Sequence, residues 1–345
     1  MQLPREILIG KNVAPSVGET LARLGFKGPA LVVTGHKVIS IAGDTVIDSL
    51  KQAGFKSYTI IVENATTSQV SKVQREIRRV KADIVVGVGG GKDIDVAKLS
   101  SMKVSTRFLS VPTAASHDGI ASPFVSMKGL NRPYSYVAHA PIAIVADTLI
   151  IAKSPYRLIA SGCGDVVAKY TAVRDWKLAH RIKNEYYGDS AAELALMSSR
   201  LVIRNASSIR AMSDSGVRTL VEALISCGVA MSIAGSSRPC SGAEHLFSHA
   251  LTMIAPKPAM HGEQCGVGTI MCAYLHGANW QLIKDVLHRI GGPTTAKELG
   301  IGPEYIVEAL TKAHSIRPER YTILGESGLT KEAAQRVASI TGVID

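Results

Sequence analysis

Three histidines and an aspartate in the second half of the chain have the residue types of a metal site. His245 and His249 are four residues apart, so on a helix they share one face. His261 follows after a loop with two prolines, and Asp165 lies upstream in the segment GCGD. Two imidazoles and a carboxylate leave one coordination position of a divalent ion open, as catalytic zinc sites do. The spacing leaves open the alternative of structural histidines in the core or on the surface.

A run of three glycines has the features of a phosphate-binding turn. Gly89, Gly90 and Gly91 follow the apolar run IVVGV and precede residues 93–102, which have helical spacing. Glycine leaves backbone N–H groups accessible, and the N-terminus of a helix attracts an anion. The run is neither a GxGxxG fingerprint nor a Walker A loop, so a tight turn that requires a positive φ is the alternative.

A second loop carries hydroxyl groups and an acid. Residues 111–119 (VPTAASHDG) come directly after the predicted strand 108–111. Ligands of open α/β sheets bind beyond the carboxyl ends of the strands, so this loop is well placed to contact a nucleotide or a substrate. The alternative is a solvated polar loop.

The elements that must position these residues differ between the two halves of the chain. Up to residue 150, short apolar runs alternate with amphipathic segments, which is typical of a parallel sheet with helices on both faces. Beyond it, Ala-rich amphipathic segments dominate. We therefore expect an α/β domain over residues 1–150 and an all-α domain over residues 151–345. The predicted strands are residues 30–34, 58–62, 84–88, 108–111 and 142–146, the predicted helices include 44–53 and 68–81, and residues 127–137 indicate a hairpin.

Composition narrows the class of protein. The chain has 345 residues, 46% hydrophobic and 19% charged, which favours a large core over disorder. The net charge of +11 is compatible with a nucleic-acid-binding protein. No helix-turn-helix, zinc-finger or RNP pattern is present, however, so we expect no nucleic-acid partner. The five cysteines form no CxxC pair and predict buried free thiols. Without an apolar leader or a run of about 18 apolar residues, we expect a cytoplasmic protein with no stable membrane insertion.

Five segments of the chain, taken in order, resemble one protein family. Together they are similar to the sn-glycerol-1-phosphate dehydrogenases of archaea. That family belongs to a superfamily with iron- or zinc-dependent alcohol dehydrogenases, glycerol dehydrogenases and 3-dehydroquinate synthases. The resemblance covers the whole chain and implies a Rossmann-like domain followed by a dehydroquinate-synthase-like helical domain. The segments are GVGGGKDIDVAK, VPTAASHDGIASP, GCGDVVAKYTAVRDW, SGAEHLFSHAL and MHGEQCGVGT.

The resemblance implies an activity and a set of site residues. The activity is reduction of dihydroxyacetone phosphate to sn-glycerol 1-phosphate with NADH or NADPH, toward archaeal membrane phospholipids. One Zn²⁺ per subunit would bind Asp165, His245 and His261. The substrate would contact Asp118, Asp165 and His249, and the catalytic candidates are Asp118 and His249. The implied cofactor site consists of Gly89, Gly90, Gly91, Lys92, Asp93, Thr113, Ala114, Ala115, Ser116 and Ser122. Family members are commonly assemblies of several subunits, so we expect a homo-oligomer.

One residue bears on the choice between NADH and NADPH. An acid at the end of the second strand of such a domain would bind the ribose 2′-hydroxyl and repel a 2′-phosphate. No acid directly follows the predicted strand 30–34, and Lys37 could pair with that phosphate. We therefore expect NADPH to be accepted alongside NADH. The alternative is that Lys37 is simply solvated.

Other functions stay open at the level of sequence. A glycerol dehydrogenase would act on unphosphorylated polyols. A 3-dehydroquinate-synthase-like lyase typically has Glu as its acidic metal ligand, where this chain has Asp165. A non-catalytic nucleotide-binding module would bind the cofactor without depending on a metal. The ligand set also accepts Fe²⁺ or Ni²⁺, and the proton donor is open among a water molecule, His249 and Asp118.

Overall fold

The chain forms two compact units. The structure is a computed structural model that describes residues 2–127 and 136–345. Its contacts divide the chain into Met1–Pro155 and Tyr156–Asp345. The division lies five residues after the one expected, because the short helix Thr148–Ala152 packs against two strands of the first unit.

The first unit is built on a parallel sheet. Its strands are β1 (Glu6–Gly10), β2 (Ala30–Thr34), β3 (Ser57–Ile61), β4 (Ile84–Gly89), β5 (Arg107–Pro112), β6 (Phe124–Val125), β7 (Tyr136–Val137) and β8 (Ala143–Asp147). Six of them pair in parallel in the order β1-β8-β5-β4-β2-β3. The central strands β2 and β4 are buried along their whole length, which explains why their sequences are continuous apolar runs.

The helices of the first unit are α1 (Val17–Arg23), α2 (Asp44–Gln52), α3 (Thr67–Val80), α4 (Gly91–Lys103) and α5 (Thr148–Ala152). The apolar positions of α3 form one buried face, as the spacing predicted. The helix ends at Lys81, whose φ of 51° lies in the left-handed region and stops the helical hydrogen bonds. The α/β class predicted for this half is confirmed.

Sequence patterns located five of the six strands of this sheet to within one residue at each end. The strand missed is β1, an edge strand beside β8 whose residues are mostly half-buried, so its apolar pattern is weak. The predicted hairpin at 127–137 lies largely outside the described residues. Its flanking strands, β6 and β7, pair antiparallel.

The second unit, as described, is helical. Its helices are α6 (Tyr156–Val167), α7 (Lys169–Lys183), α8 (Asp189–Arg204), α9 (Ala206–Arg210), α10 (Asp214–Ala234), α11 (Ala243–Ile254), α12 (His261–Leu275), α13 (Trp280–Ile290), α14 (Ala296–Leu299), α15 (Pro303–Ile316) and α16 (Lys331–Ile340). Helix α10 is long and apolar enough to cross a membrane, contrary to the expectation that no such segment exists, but 61% of its most apolar window is buried inside the protein.

Candidate functional site

Glycines let the helices that carry Asp165 and His261 meet backbone to backbone. Asp165 lies near the end of α6, and His261 is the first residue of α12. A Cβ on Gly164 would lie 2.2 Å from the carbonyl oxygen of Gly262. A Cβ on Gly262 would lie 1.8 Å from the carbonyl oxygen of Ser161. Neither position accepts a side chain, so these two glycines set how closely α6 and α12 approach.

Three side chains near this contact, those of His245, His261 and Cys265, form one cluster of metal-binding atoms, and the carboxylate of Asp165 contacts one of them. The Nε2 of His245, from α11, lies 3.3 Å from Oδ1 of Asp165. Ligand atoms of His245, His261 and Cys265 lie within 4.8 Å of one another. Atoms bound at about 2.0–2.3 Å to one tetrahedral zinc are roughly 3.3–3.8 Å apart, so the spacing of His245 and Asp165 fits a shared ion. Carboxylate, imidazole and thiolate groups are all ligands of divalent ions such as Zn²⁺.

Polar contacts at the Nδ1 atoms of His245 and His261 orient the two imidazole rings. The Nδ1 of His245 bonds Oε1 of Glu244 at 2.8 Å, and Glu244 also accepts the hydroxyl of Thr171 at 2.7 Å. The Nδ1 of His261 lies 3.2 Å from the hydroxyl of Ser248. Such outer contacts fix the ring orientation of a metal ligand. In both histidines Nε2 faces another candidate ligand: that of His245 lies 3.3 Å from Oδ1 of Asp165, and that of His261 lies 3.5 Å from Sγ of Cys265.

Opposite charges within the cluster keep its carboxylate and its thiol ionised. Burial disfavours a charge on Asp165, but Lys169, with Nζ at 2.8 Å, and the two histidines hold the pKa of Asp165 well below its usual range. Burial likewise opposes a thiolate at Cys265, yet His245 and His261 lower its pKa to about 6. Carboxylate and thiolate are the forms that act as ligands. Although burial lowers the pKa values of His245 and His261, Cys265 and Asp165 raise them above the usual value, so each imidazole must lose a proton before an ion binds.

His249 lies one helical turn beyond His245 on α11, as the spacing predicted. Its ring stacks on that of His261 with 5.7 Å between centroids. Burial, followed by the charges of His261 and His245, lowers the pKa of His249 well below its usual value. His249 is therefore neutral at physiological pH and offers one N–H and one acceptor nitrogen.

The three glycines of the first unit have three different local environments. Gly89 has a φ of 152°, and a Cβ there would lie 2.2 Å from Oδ2 of Asp93, so the turn itself requires glycine. At Gly91 a Cβ would lie 2.0 Å from Nε2 of His117. At Gly90, directly before α4, no atom lies within 4 Å of the added carbon. Gly90 is thus the glycine whose missing side chain leaves space beside the start of a helix.

Lys92 and Asp93 follow the glycine turn directly and contact the chain around it. The Nζ of Lys92 donates to the carbonyl of Val62 at 2.9 Å and lies 3.2 Å from Oδ1 of Asp93. Asp93 is buried, and burial raises its pKa. In the described structure these two side chains contact each other and the backbone around the ends of β3 and β4.

The loop after β5 is attached to the glycine turn, because the backbone N–H of Thr113 donates to the carbonyl of Gly89 at 3.0 Å. The side chain of Asp118 is half-buried on a single 3₁₀ turn in this loop. The remaining predicted cofactor residues here are Ala114, Ala115 and Ser122, which are buried, and Ser116, which is half-buried; Lys37, beyond the end of β2, is exposed.

A buried lysine holds that loop in place. The Nζ of Lys98, on α4, donates to the carbonyls of Gly119 at 2.7 Å and Phe124 at 2.9 Å. It also lies 3.8 Å from Oδ1 of Asp95, which accepts the backbone N–H of Ser126 at 2.9 Å. The pair fixes the backbone on both sides of the predicted cofactor residue at position 122.

Sequence reasoning left out several of these side chains although their spacing was visible. Lys169 follows Asp165 by four residues, Cys265 follows His261 by four, and Lys98 follows Asp95 by three, so each pair shares a helix face. The segment GCGD lies within the last turns of α6, where Gly164 packs against Gly262 and Gly266 of α12.

The first unit matches one family model, and the whole chain shares its fold with solved structures. A family model described as iron-containing alcohol dehydrogenase matches residues 8–155. The crystal structure of a probable glycerol dehydrogenase from Sinorhizobium meliloti 1021 has a TM-score of 0.80 at 19% identity, covering 100% of this chain and 99% of that one. Glycerol dehydrogenase from Schizosaccharomyces pombe gives 0.82 at 19% identity, covering 99% and 90%. At such identities the structures show the fold alone.

Curated relatives narrow the class to one family. The chain is 56% identical over 344 residues to glycerol-1-phosphate dehydrogenase (NAD(P)+) of Methanothermobacter thermautotrophicus, covering 100% of this chain and 99% of the relative. The same enzyme of Pyrococcus furiosus has the same identity and coverage. The chain therefore belongs to the glycerol-1-phosphate dehydrogenase (NAD(P)+) family.

Gly90 provides a test of the glycine turn that separates cofactor binding from folding. We expect Gly90→Ala to leave the Tm unchanged, because the added carbon meets no atom of the chain. We expect it to weaken NADH binding by about tenfold or more, since the carbon would occupy the space beside the helix start. Calorimetric Tm and fluorescence titration with NADH measure the two effects. Gly292→Ala, which also meets only ordinary contacts, is the control; equal NADH affinity in both variants would contradict the assignment.

Proposed function

We propose that the chain reduces dihydroxyacetone phosphate to sn-glycerol 1-phosphate with NADH or NADPH. The observation that carries this proposal is the 56% identity to named glycerol-1-phosphate dehydrogenases over essentially their full length. The buried cluster of Asp165, His245 and His261 supports it, because each residue is of a type that binds a divalent ion and their contacts orient them toward one.

We propose that the glycine turn and the loop after β5 bind the cofactor. Gly90 supports this through the open space at its Cβ position, and the start of α4 adds backbone N–H groups that favour an anion. The hydrogen bond from Thr113 to Gly89 holds the two segments as one surface. In this proposal the turn comprises Gly89, Gly90, Gly91, Lys92 and Asp93, and the loop comprises Thr113, Ala114, Ala115, Ser116 and Ser122. A reduced nicotinamide supplies the hydride when bound.

We propose that Asp165, His245 and His261 hold one Zn²⁺. A divalent ion there supplies Lewis acidity toward a carbonyl oxygen. Glu244 fixes the tautomer of His245, since a proton on Nδ1 satisfies the carboxylate and leaves Nε2 with its lone pair. Lys169, buried against the carboxylate of Asp165, keeps that residue ionised.

We propose that Asp118, Asp165 and His249 contact the substrate. A neutral His249 can donate one hydrogen bond to a hydroxyl or carbonyl group, but its lowered pKa makes it a poor store of an extra proton at neutral pH. Of the three expected sources of the proton, this favours Asp118 or an ordered water molecule.

We propose that the protein is not inserted in a membrane, which the packing of α10 inside the second unit supports. From the family resemblance, we also propose that it forms a homo-oligomer in the cytoplasm.

The direct test is oxidation of NADH and NADPH with dihydroxyacetone phosphate as the acceptor, followed by chiral analysis of the product. We expect sn-glycerol 1-phosphate, a loss of activity after chelation by at least about tenfold, and recovery on adding Zn²⁺. Dihydroxyacetone is the matched control substrate, because it lacks only the phosphate. Faster turnover of dihydroxyacetone would indicate a polyol dehydrogenase, and formation of sn-glycerol 3-phosphate would contradict the proposal.

Lys37 is proposed to contact the 2′-phosphate of NADPH. We expect Lys37→Ala to raise the KM for NADPH by about tenfold and to leave the KM for NADH unchanged, because only NADPH carries the extra charge. Steady-state kinetics with both cofactors measure this. Lys27→Ala is the control, since Lys27 is also exposed but precedes β2 rather than following it. An unchanged KM for NADPH would mean that Lys37 is only solvated.

A further inference from the structure

The thiol of Cys265 lies among the candidate metal ligands of the second unit. Cys265 follows His261 by one turn of α12, so the two side chains share a face of that helix. The Sγ atom lies 3.5 Å from Nε2 of His261 and 3.8 Å from Nδ1 of the same ring. The ligand atoms of Cys265, His261 and His245 all lie within 4.8 Å of one another. The sulfur is therefore close enough to both imidazoles to share an ion with them.

The separation of this sulfur from His261 fits two ligands of one ion. A sulfur bound to a tetrahedral zinc at about 2.3 Å and a nitrogen bound at about 2.0–2.1 Å are roughly 3.5 Å apart. The Nε2 of His261 lies 3.5 Å from Sγ of Cys265. A second pair, Nε2 of His245 and Oδ1 of Asp165 at 3.3 Å, fits the shorter separation of a nitrogen and an oxygen ligand. Two pairs that involve four different side chains thus agree with one shared ion.

Close packing of two helix backbones fixes the position of Cys265. Gly266 directly follows Cys265 on α12, and a Cβ on Gly266 would lie 3.5 Å from Cα of Gly164 on α6. Gly164 in turn directly precedes Asp165. The backbone contact therefore holds Cys265 next to the part of α6 that carries Asp165.

A second buried cysteine of this unit has different surroundings. The Sγ of Cys240 donates to the carbonyl of Cys227 at 3.4 Å, which is an ordinary contact of a thiol in a protein core. Cys265 is also buried, but within the residues that the structure describes its sulfur contacts ring nitrogens of His261. Thiol and imidazole groups side by side are the donor combination of zinc sites. Cys240 lacks such neighbours and serves below as a matched comparison.

A sulfur ligand bears on which ion the site prefers. Two histidines and one carboxylate with open positions are typical of non-haem Fe²⁺ sites, and imidazole ligands also accept Zn²⁺ and Ni²⁺. Soft thiolate ligands shift this balance, because they favour Zn²⁺ over harder ions. The choice between iron and zinc at this site can therefore depend on one atom of α12.

We propose that Cys265 is a fourth ligand of the ion, in addition to Asp165, His245 and His261, and that its sulfur makes the site prefer Zn²⁺ to Fe²⁺. Each ligand binds in its deprotonated form, and its proton passes to solvent. Zinc sites expand from four ligands to five, so a fourth protein ligand leaves room for a substrate group. The inference rests on the metal site of the proposed function and names the residue that determines its metal.

The absorption spectrum of the Co²⁺-substituted enzyme tests whether the sulfur is a ligand. A thiolate bound to Co²⁺ gives a charge-transfer band in the near ultraviolet, and nitrogen and oxygen ligands do not. We expect this band in wild type and its loss in Cys265→Ser and Cys265→Ala, with Co²⁺ still bound in both. Cys240→Ser is the matched control, because its hydroxyl can still donate to the carbonyl of Cys227, and we expect it to keep the band. A wild-type spectrum without the band, or a band that persists in Cys265→Ser, would overturn the proposal.

Competition between Zn²⁺ and Fe²⁺ measures the metal preference. We expect the ratio of the two affinities, determined without oxygen against a chelator of known affinity, to fall by about tenfold or more in Cys265→Ser. The reason is that the variant removes a soft ligand, whose contribution is larger for zinc than for iron. The ratio in Cys240→Ser is expected to equal that of wild type. An equal ratio in Cys265→Ser would mean that the sulfur does not set the preference.

These measurements separate the role of Cys265 from the proposed activity. If wild type binds Co²⁺ and reduces dihydroxyacetone phosphate, but shows no thiolate band, Cys265 is not a ligand and the proposed function stands. If wild type binds none of these ions, the metal site and the role of Cys265 are both wrong.

Discussion

The contact between α6 and α12 is the constraint on which the second unit's site depends. Two carbonyl oxygens occupy the space that side chains at Gly164 and Gly262 would need, so the helices approach as closely as backbones can. The start of α6 is joined to the first turn of α12 by Arg157, which donates two hydrogen bonds to Glu263 at 2.6 and 2.7 Å. That proximity brings the end of α6, which carries Asp165, beside the start of α12, whose first residue is His261.

Burial of charged groups lowers the stability of the fold, and contacts with surrounding residues offset this loss. Asp165, Glu244 and Lys169 are almost fully buried, and a buried ion is stable only where an opposite charge or several hydrogen bonds accompany it. Each has such partners, because Asp165 and Lys169 pair with each other and Glu244 accepts hydrogen bonds from His245 and Thr171. The first unit uses the same device, since buried Lys98 is bonded to two carbonyls of the loop that carries Asp118. In each unit a buried lysine holds an acid that is proposed to bind a ligand. Lys169 contacts Asp165 directly, and Lys98 holds the loop that carries Asp118.

How much the sequence predicts depends on whether a residue's role is local. Apolar runs and helical periodicity located the central strands and the face of α3, because burial of these elements imposes a regular pattern. Residue types and the family resemblance predicted Asp165 and His245 as ligands of one ion, but spacing could not show their contact, since 80 residues separate them. Cys265 was taken as an ordinary buried thiol, and its histidine neighbours appear only when α11 and α12 are packed.

The central claim is that Asp165, His245 and His261 hold the ion on which the activity depends. The most direct measurement is anomalous scattering at the zinc edge from crystals of the active, zinc-loaded enzyme. We predict one strong peak at about 2.0–2.2 Å from Nε2 of both histidines and from a carboxylate oxygen of Asp165. A peak bonded to the sulfur of Cys265 in place of Asp165, or the absence of a peak at this cluster in an active enzyme, would contradict it.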